Sequence, residues 1–180
     1  MNLDRVDAGR DLADDFNVIV EIPMNADPIK YEIDKATGAL FVDRFLSTAM
    51  HYPCNYGYIP HTISDDGDPV DVLVVSPFAL MPGVVVRCRP IGMLKMTDEA
   101  GGDHKLIAVH RDDPDYAVYQ DIEDLPQHRL LELRRFFLDY KKLEGKEVTV
   151  DAFLGPAEAM TILRNAVELY RRKCSGLRTD

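Results

Sequence analysis

Asp66-Gly67-Asp68-Pro69-Val70-Asp71 sets three carboxylates within six positions, and a valine-rich run follows at once. Asp66 and Asp68 are two apart, so in an extended segment both side chains leave the same face, while Pro69 turns the chain and lets Asp71 return towards them. Carboxylates this close repel one another unless a cation neutralises them. Hard divalent cations with oxygen-rich shells, Mg²⁺ above all, do so while keeping several waters and accepting a phosphate oxygen. A solvated acidic turn is the competing reading, because Asp, Gly and Pro are also the ordinary residues of turns, and the hexapeptide alone divides evenly between the two. An EF-hand loop is excluded by register. With Gly67 as the loop glycine, Thr62 falls at the first position and Leu73 at the twelfth, so neither end supplies its carboxylate.

The remaining polar clusters carry less taken singly. Pro28 to Asp34 alternates apolar and charged residues, so Lys30, Glu32 and Asp34 share a face, as on any solvated strand. Between Lys95 and Lys105 lies a glycine-containing connection in which Asp103 and Lys105, again two apart, point the same way as a strand begins. Arg44 follows a short apolar strand, and Tyr56 sits in the aromatic turn from His51 to Tyr58.

The elements that must position these groups are legible from periodicity. Strands are expected at Asn17–Ile22, Lys30–Asp34, Leu40–Asp43, Val70–Val75, Val84–Lys95, Lys105–His110 and Glu147–Phe153, all rich in β-branched residues and punctuated by Gly, Pro and Asp. Asp34 to Gly38 reads as a hairpin connection. Leu130, Leu133, Phe137 and Tyr140 recur at intervals of three and four, the stripe of an amphipathic helix between Leu125 and Leu143. A second helix is expected to begin at Pro156, with Glu158 in its first turn, a stripe of Met160, Leu163, Val167, Tyr170 and Cys174, and Arg171-Arg172-Lys173 at its C-terminal end. Many short strands followed by helices favour an antiparallel barrel or highly twisted sheet with helices packed outside.

At 180 residues, 46% of them hydrophobic, the chain suits one domain spanning residues 1–180, with no linker or repeat. Its 31 acidic against 21 basic residues give a net charge of −10, which argues against a nucleic-acid backbone or an anionic membrane as partner. No apolar run approaches the roughly 18 residues of a membrane span. The N-terminal stretch, with Asp4, Asp7, Asp11, Asp14 and Asp15, lacks the basic and apolar regions of a signal peptide, so a cytoplasmic protein is expected. Cys54, Cys88 and Cys174 form no Cys-x-x-Cys pair and give no zinc signature.

Taken in order, the polar elements resemble the soluble family I inorganic pyrophosphatases of the bacterial type. The resemblance runs from about Leu12 to Lys146 and is carried by Val20-Glu21-Ile22-Pro23, Ile29-Lys30-Tyr31-Glu32, Val42-Asp43-Arg44, the Tyr52 to Tyr58 segment, the Asp66–Asp71 signature, the stretch from Asp98 to Lys105, and Tyr140-Lys141. It implies a mainly β fold with flanking helices (α+β), a small five-stranded closed OB-like barrel with two helices packed outside. It also implies Mg²⁺, several ions per active site, with Mn²⁺ or Zn²⁺ as substitutes. By resemblance, Asp66, Asp71 and Asp103 hold one activating metal and Asp71 bridges to a second, while Asp68 is the general base. Asp98 and Glu32, with Asp103, serve the metals that arrive with substrate, and Glu21 is a carboxylate in the outer ring of the site. Lys30, Arg44, Lys105 and Lys141, aided by the hydroxyls of Tyr56 and Tyr140, bind the phosphate oxygens of pyrophosphate and its phosphate products. The resemblance further implies a homohexamer. Where some relatives join trimers through histidines, this chain has Arg135 and Asp139, and no histidine follows His128. The rival expectations are a metal-dependent phosphohydrolase of an organic phosphate and a non-catalytic OB-like module for oligonucleotides, the second disfavoured by the acidic charge.

Overall fold

The computed structural model describes residues 3–99 and 101–176. Along the chain run β1 (Gly9–Asp11), β2 (Asp15–Ile22), β3 (Ile29–Ile33), β4 (Leu40–Phe45), β5 (Asn55–Ile59), β6 (Val70–Val75), β7 (Val85–Asp98), β8 (Gly101–Gly102), β9 (Lys105–His110), α1 (Gln127–Asp139), β10 (Thr149–Leu154) and α2 (Pro156–Gly176). Strands β2, β5, β6, β9 and β7 pair in that order, and β7 pairs back to β2, which closes a five-stranded ring. The ring is a small barrel of OB-like kind, with β1, β10 and β8 added at its margins.

Strand alternation divides the apolar side chains between two helices. Val70, Val72 and Val74 of β6 and Leu106 and Ala108 of β9 pack with Ala159, Leu163 and Val167 of α2. Their neighbours Leu73, Val75, Ile107 and Val109 point the other way and pack with Leu133, Phe136 and Phe137 of α1. Fully buried side chains such as Phe136 and Leu163 each contribute roughly 1.5–3 kcal/mol relative to exposure. Asp71 and Lys105, in phase with Leu73 and Ile107, therefore emerge at the strand ends on the α1 side.

One expectation needs correction. The barrel is not wholly antiparallel, because β6 and β9 are parallel, with Asp71 opposite Lys105. A parallel pair requires cover on both faces, and the continuous apolar runs Val70–Val75 and Leu106–Val109 meet that need. A second correction concerns Asn55–Tyr58, read as part of an aromatic turn, which forms β5 with every residue buried. Gly57 allows it, since a Cβ there would lie 2.1 Å from the Ile19 carbonyl oxygen of β2. The first helix is shorter than the expected Leu125–Leu143. Pro126, at φ −53° and ψ 133°, holds the backbone extended before α1, and a separate 3-10 turn over Lys142–Glu144 ends on Gly145 at φ 72°. Among the described residues, no helix is long and apolar enough to cross a membrane.

Strands β3 and β4 form a two-stranded sheet apart from the ring. Their connection is set by Asp34, whose Oδ1 accepts hydrogen bonds from the Thr37 N–H at 2.7 Å and the Thr37 hydroxyl at 2.6 Å. Ala100, within the expected Lys95–Lys105 connection, lies outside the described residues.

Candidate active site

All thirteen residues singled out by the resemblance line one cleft of about 370 Å³, between the β3–β4 hairpin, the strand ends of β5, β6, β7 and β9, and the C-terminal end of α1. The hairpin brings Lys30, Glu32 and Arg44. Register places Lys30 opposite Arg44, so two cations project from adjacent strands. The Ser64–Pro69 turn brings Asp66 and Asp68. Gly67 there adopts φ 93°, a conformation only glycine takes without strain, and the Asp68 N–H donates to Asp66 Oδ1 at 3.0 Å. The wall is Tyr52 and Tyr56, with ring centroids 5.3 Å apart, and Tyr52 in turn packs on Phe136 of α1 at 4.7 Å.

Each cation of the cleft rests on a carboxylate. The buried Lys105 ammonium donates to Asp71 Oδ2 and Asp103 Oδ1. Its pKa lies above the ordinary lysine value: burial alone disfavours the ammonium, but the two carboxylates outweigh it. Lys141 donates to Asp98 Oδ2 at 2.7 Å, and Lys30 and Arg44 lie 3.1 and 2.9 Å from Asp43 Oδ2. The buried Arg44 Nε makes no hydrogen bond among the described residues and faces the Glu144 carboxylate at 3.6 Å, too far for a hydrogen bond but close enough to feel its charge. By contrast, no cation pairs with the exposed Asp66 or Asp68 among those residues. Partial desolvation by the cleft, and then the nearby carboxylates of Asp68, Asp103 and Asp71, raise the Asp66 pKa above the usual aspartate value. Burial likewise pushes the Glu21 carboxyl up to about 7, against the hydrogen bond it accepts from the Ile33 N–H. The Tyr56 phenol stays protonated well above its ordinary range, through burial and the charge of Asp71.

Eight carboxylates face six cations here, and the lining holds no histidine or cysteine. Such an all-oxygen donor set fits a hard divalent cation rather than a soft one. Among the described residues, no three metal-binding side chains converge into a ready cage; the Lys105 ammonium stands between Asp71 and Asp103 instead. Lys35, Glu99 and Lys146 also line the cleft and were not anticipated. Glu99 joins Lys146 at 2.7 Å and Lys141 at 3.7 Å. Its only sequence signal is its place beside Asp98 in the glycine-containing connection.

A closed barrel carrying carboxylates and cations together at one end offers oxygen donors for hard cations beside donors for an anion, the makings of a metal-assisted site for a small phosphorylated compound. The comparisons narrow the class. The model of the inorganic pyrophosphatase family matches residues 18–171. The inorganic pyrophosphatase of Yersinia pestis is 56% identical over 175 residues, covering 96% of this chain and all of that one. That of Escherichia coli K12 is 60% identical over 156 residues, covering 85% and 89%. The crystal structure of the inorganic pyrophosphatase of Thermus thermophilus aligns with a TM-score of 0.89 at 38% identity, over 95% of this chain and 99% of that one. The chain belongs to the soluble family I inorganic pyrophosphatases of the bacterial type, hydrolases of pyrophosphate. Membership implies a divalent metal as cofactor.

Proposed function

We propose that the cleft hydrolyses inorganic pyrophosphate to two phosphates with Mg²⁺ as the activating ion and Asp68 as the general base. The observation that carries this reading is the internal pairing of the cleft, in which Lys30, Arg44, Lys105 and Lys141 all lean on carboxylates while, among the described residues, Asp66 and Asp68 have no cation. Pyrophosphate is a small polyanion whose leaving phosphate gains charge as the bridging bond breaks. Lys30, Arg44, Lys105 and Lys141 can turn from their carboxylates to its oxygens, and the protonated hydroxyls of Tyr56 and Tyr140 donate beside them. That exchange releases Asp71, Asp98 and Asp103, which with Asp66 and Glu32 offer oxygen donors to the divalent cations. When bound, those ions lower the pKa of water and offset charge on the departing phosphate. Asp68 accepts the proton of the attacking water, its backbone fixed by Gly67 and by the hydrogen bond to Asp66.

Phosphate release from pyrophosphate and from ATP, measured with Mg²⁺, with Ca²⁺ and in chelator, tests the reading. Turnover is expected with Mg²⁺ and pyrophosphate, with ATP slower, chelator abolishing activity and Ca²⁺ inhibiting, because its looser shell misplaces the water. Full activity in chelator, or faster release from ATP, overturns it.

We propose further that the enzyme is a cytoplasmic homohexamer, as the family resemblance suggests. On α1, Arg135 Nε lies 3.4 Å from Asp139 Oδ2, and Lys142 reaches the other oxygen at 2.9 Å. The Lys142 hydrogen bond holds the Asp139 carboxyl below the usual aspartate pKa, so its charge persists as pH falls. An interface built on this face is expected to withstand about pH 5 to 7, below the arginine and above the aspartate range, and to loosen in high salt, where exposed ion pairs are screened. Sedimentation velocity across pH and salt checks this; dissociation with a midpoint near the histidine pKa of about 6.5 counts against it.

A further inference from the structure

The β3–β4 hairpin supplies Lys30, Glu32 and Arg44 to the cleft but pairs with no strand of the barrel. Its outer strand is exposed at Leu40, Phe41, Val42 and Phe45. Behind its turn lies a second hollow of about 620 Å³, lined by Asp34–Gly38, His61 and Tyr170, with Ile33, Leu3 and Tyr58 forming its apolar part. Only Ile33 is fully buried, against Leu3, Ile19 and Tyr58.

Lys35 stands between the two hollows, lining both together with Tyr58 and Pro69. Its ammonium lies 4.5 Å from the centroid of the Tyr58 ring, 3.9 Å from Glu21 Oε1 and 3.8 Å from Glu32 Oε1. Glu21 and Tyr58 belong to the barrel strands β2 and β5. The same Glu21 oxygen accepts the hairpin's Ile33 N–H at 2.8 Å. Lys35, Glu21 and Tyr58 thus meet where the turn of the hairpin rests on the barrel. Lys30 lies 4.0 Å from the other oxygen of Glu32, so that carboxylate sits between two ammonium groups, one on its own strand and one at the turn.

We propose that Lys35 is a positioning residue whose ammonium latches the β3–β4 hairpin to Glu21 and to the face of Tyr58, and so sets the place of Lys30, Glu32 and Arg44 in the cleft. Its kinetic consequence rests on the pyrophosphatase reading; the latch itself does not. Hydrogen exchange and kinetics of Lys35→Met and Lys35→Arg test it. In Lys35→Met, amides of Ile29–Ile33 and Leu40–Phe45 are expected to exchange roughly five- to tenfold faster, the scale of one cation–π contact and the one loose ion pair, to Glu21, that cross from hairpin to barrel. Amides of β6 and β9 should be unchanged. KM for pyrophosphate should rise more than kcat falls, because the hairpin carries two phosphate-binding cations, and Lys35→Arg, which retains charge and stacking, should recover both. Unchanged hairpin exchange in Lys35→Met overturns the latch, as does exchange that quickens equally in β6 and β9, the mark of a residue that stabilises the whole fold. A loosened hairpin with KM unchanged overturns the positioning role. If the wild-type protein fails to hydrolyse pyrophosphate, the functional reading falls while the exchange result still decides the latch.

Discussion

Asp68→Asn is expected to lower turnover by roughly 10²–10⁴-fold, the usual contribution of a general base, while leaving the affinity for Mg²⁺ largely intact. Asp71→Asn is expected to weaken Mg²⁺ binding instead. The two side chains stand in different company. Asp68 is exposed at the tip of the Gly67 turn and pairs with no cation among the described residues, so losing its charge breaks no ion pair and only relieves the repulsion on Asp66. Asp71 faces Lys105 across the parallel β6–β9 ladder and accepts its ammonium, so the amide both removes a charged oxygen ligand and unsettles the lysine. Calorimetric Mg²⁺ titrations beside steady-state kinetics check the pair. Mg²⁺ affinity lost in Asp68→Asn and kept in Asp71→Asn would reverse the assignment.

Much of this arrangement is legible in the sequence for a physical reason. Barrel strands such as β6 and β9 state their faces by alternation, so the phase that buries Leu73 and Ile107 also fixes where Asp71 and Lys105 emerge. The Asp66–Asp71 turn announces itself through Gly67 and Pro69. Strand β5 was hidden because Asn55, Tyr56, Gly57 and Tyr58 have the composition of a turn. They are extended only because β2 and β6 flank them, and Gly57 lets the Ile19 carbonyl close in. Lys35 was hidden for a related reason: it lies in a hairpin turn where side-chain phase says nothing, and only the tertiary approach of Glu21 and Tyr58 gives it partners. The parallel pairing of β6 with β9 is written in the continuous rather than alternating apolar run of both strands.

The pairing of Lys105 makes a stronger demand on the fold than on the chemistry. Lys105 is 3% exposed and is the counter-ion of two carboxylates, so Lys105→Met, close in volume, leaves both Asp71 and Asp103 without it. Removing one partner of a buried ion pair costs about 3–5 kcal/mol. Here the aspartates retain 25% and 16% of their side-chain exposure, so water recovers part of that and the lower end is expected. For a chain of this size, about 3 kcal/mol corresponds to a fall in Tm of roughly 6–12 °C, seen in chelator. A divalent cation can stand where the ammonium stood, so Mg²⁺ should restore more Tm to Lys105→Met than it adds to the wild type, whose aspartates are already neutralised. Turnover should stay low even in saturating Mg²⁺, because the cation that faces the phosphate oxygens is gone. Differential scanning calorimetry in chelator and in Mg²⁺ measures both arms. A variant as stable as wild type in chelator, or one that gains no more from Mg²⁺, would show that Lys105 does not hold the place of a metal between Asp71 and Asp103.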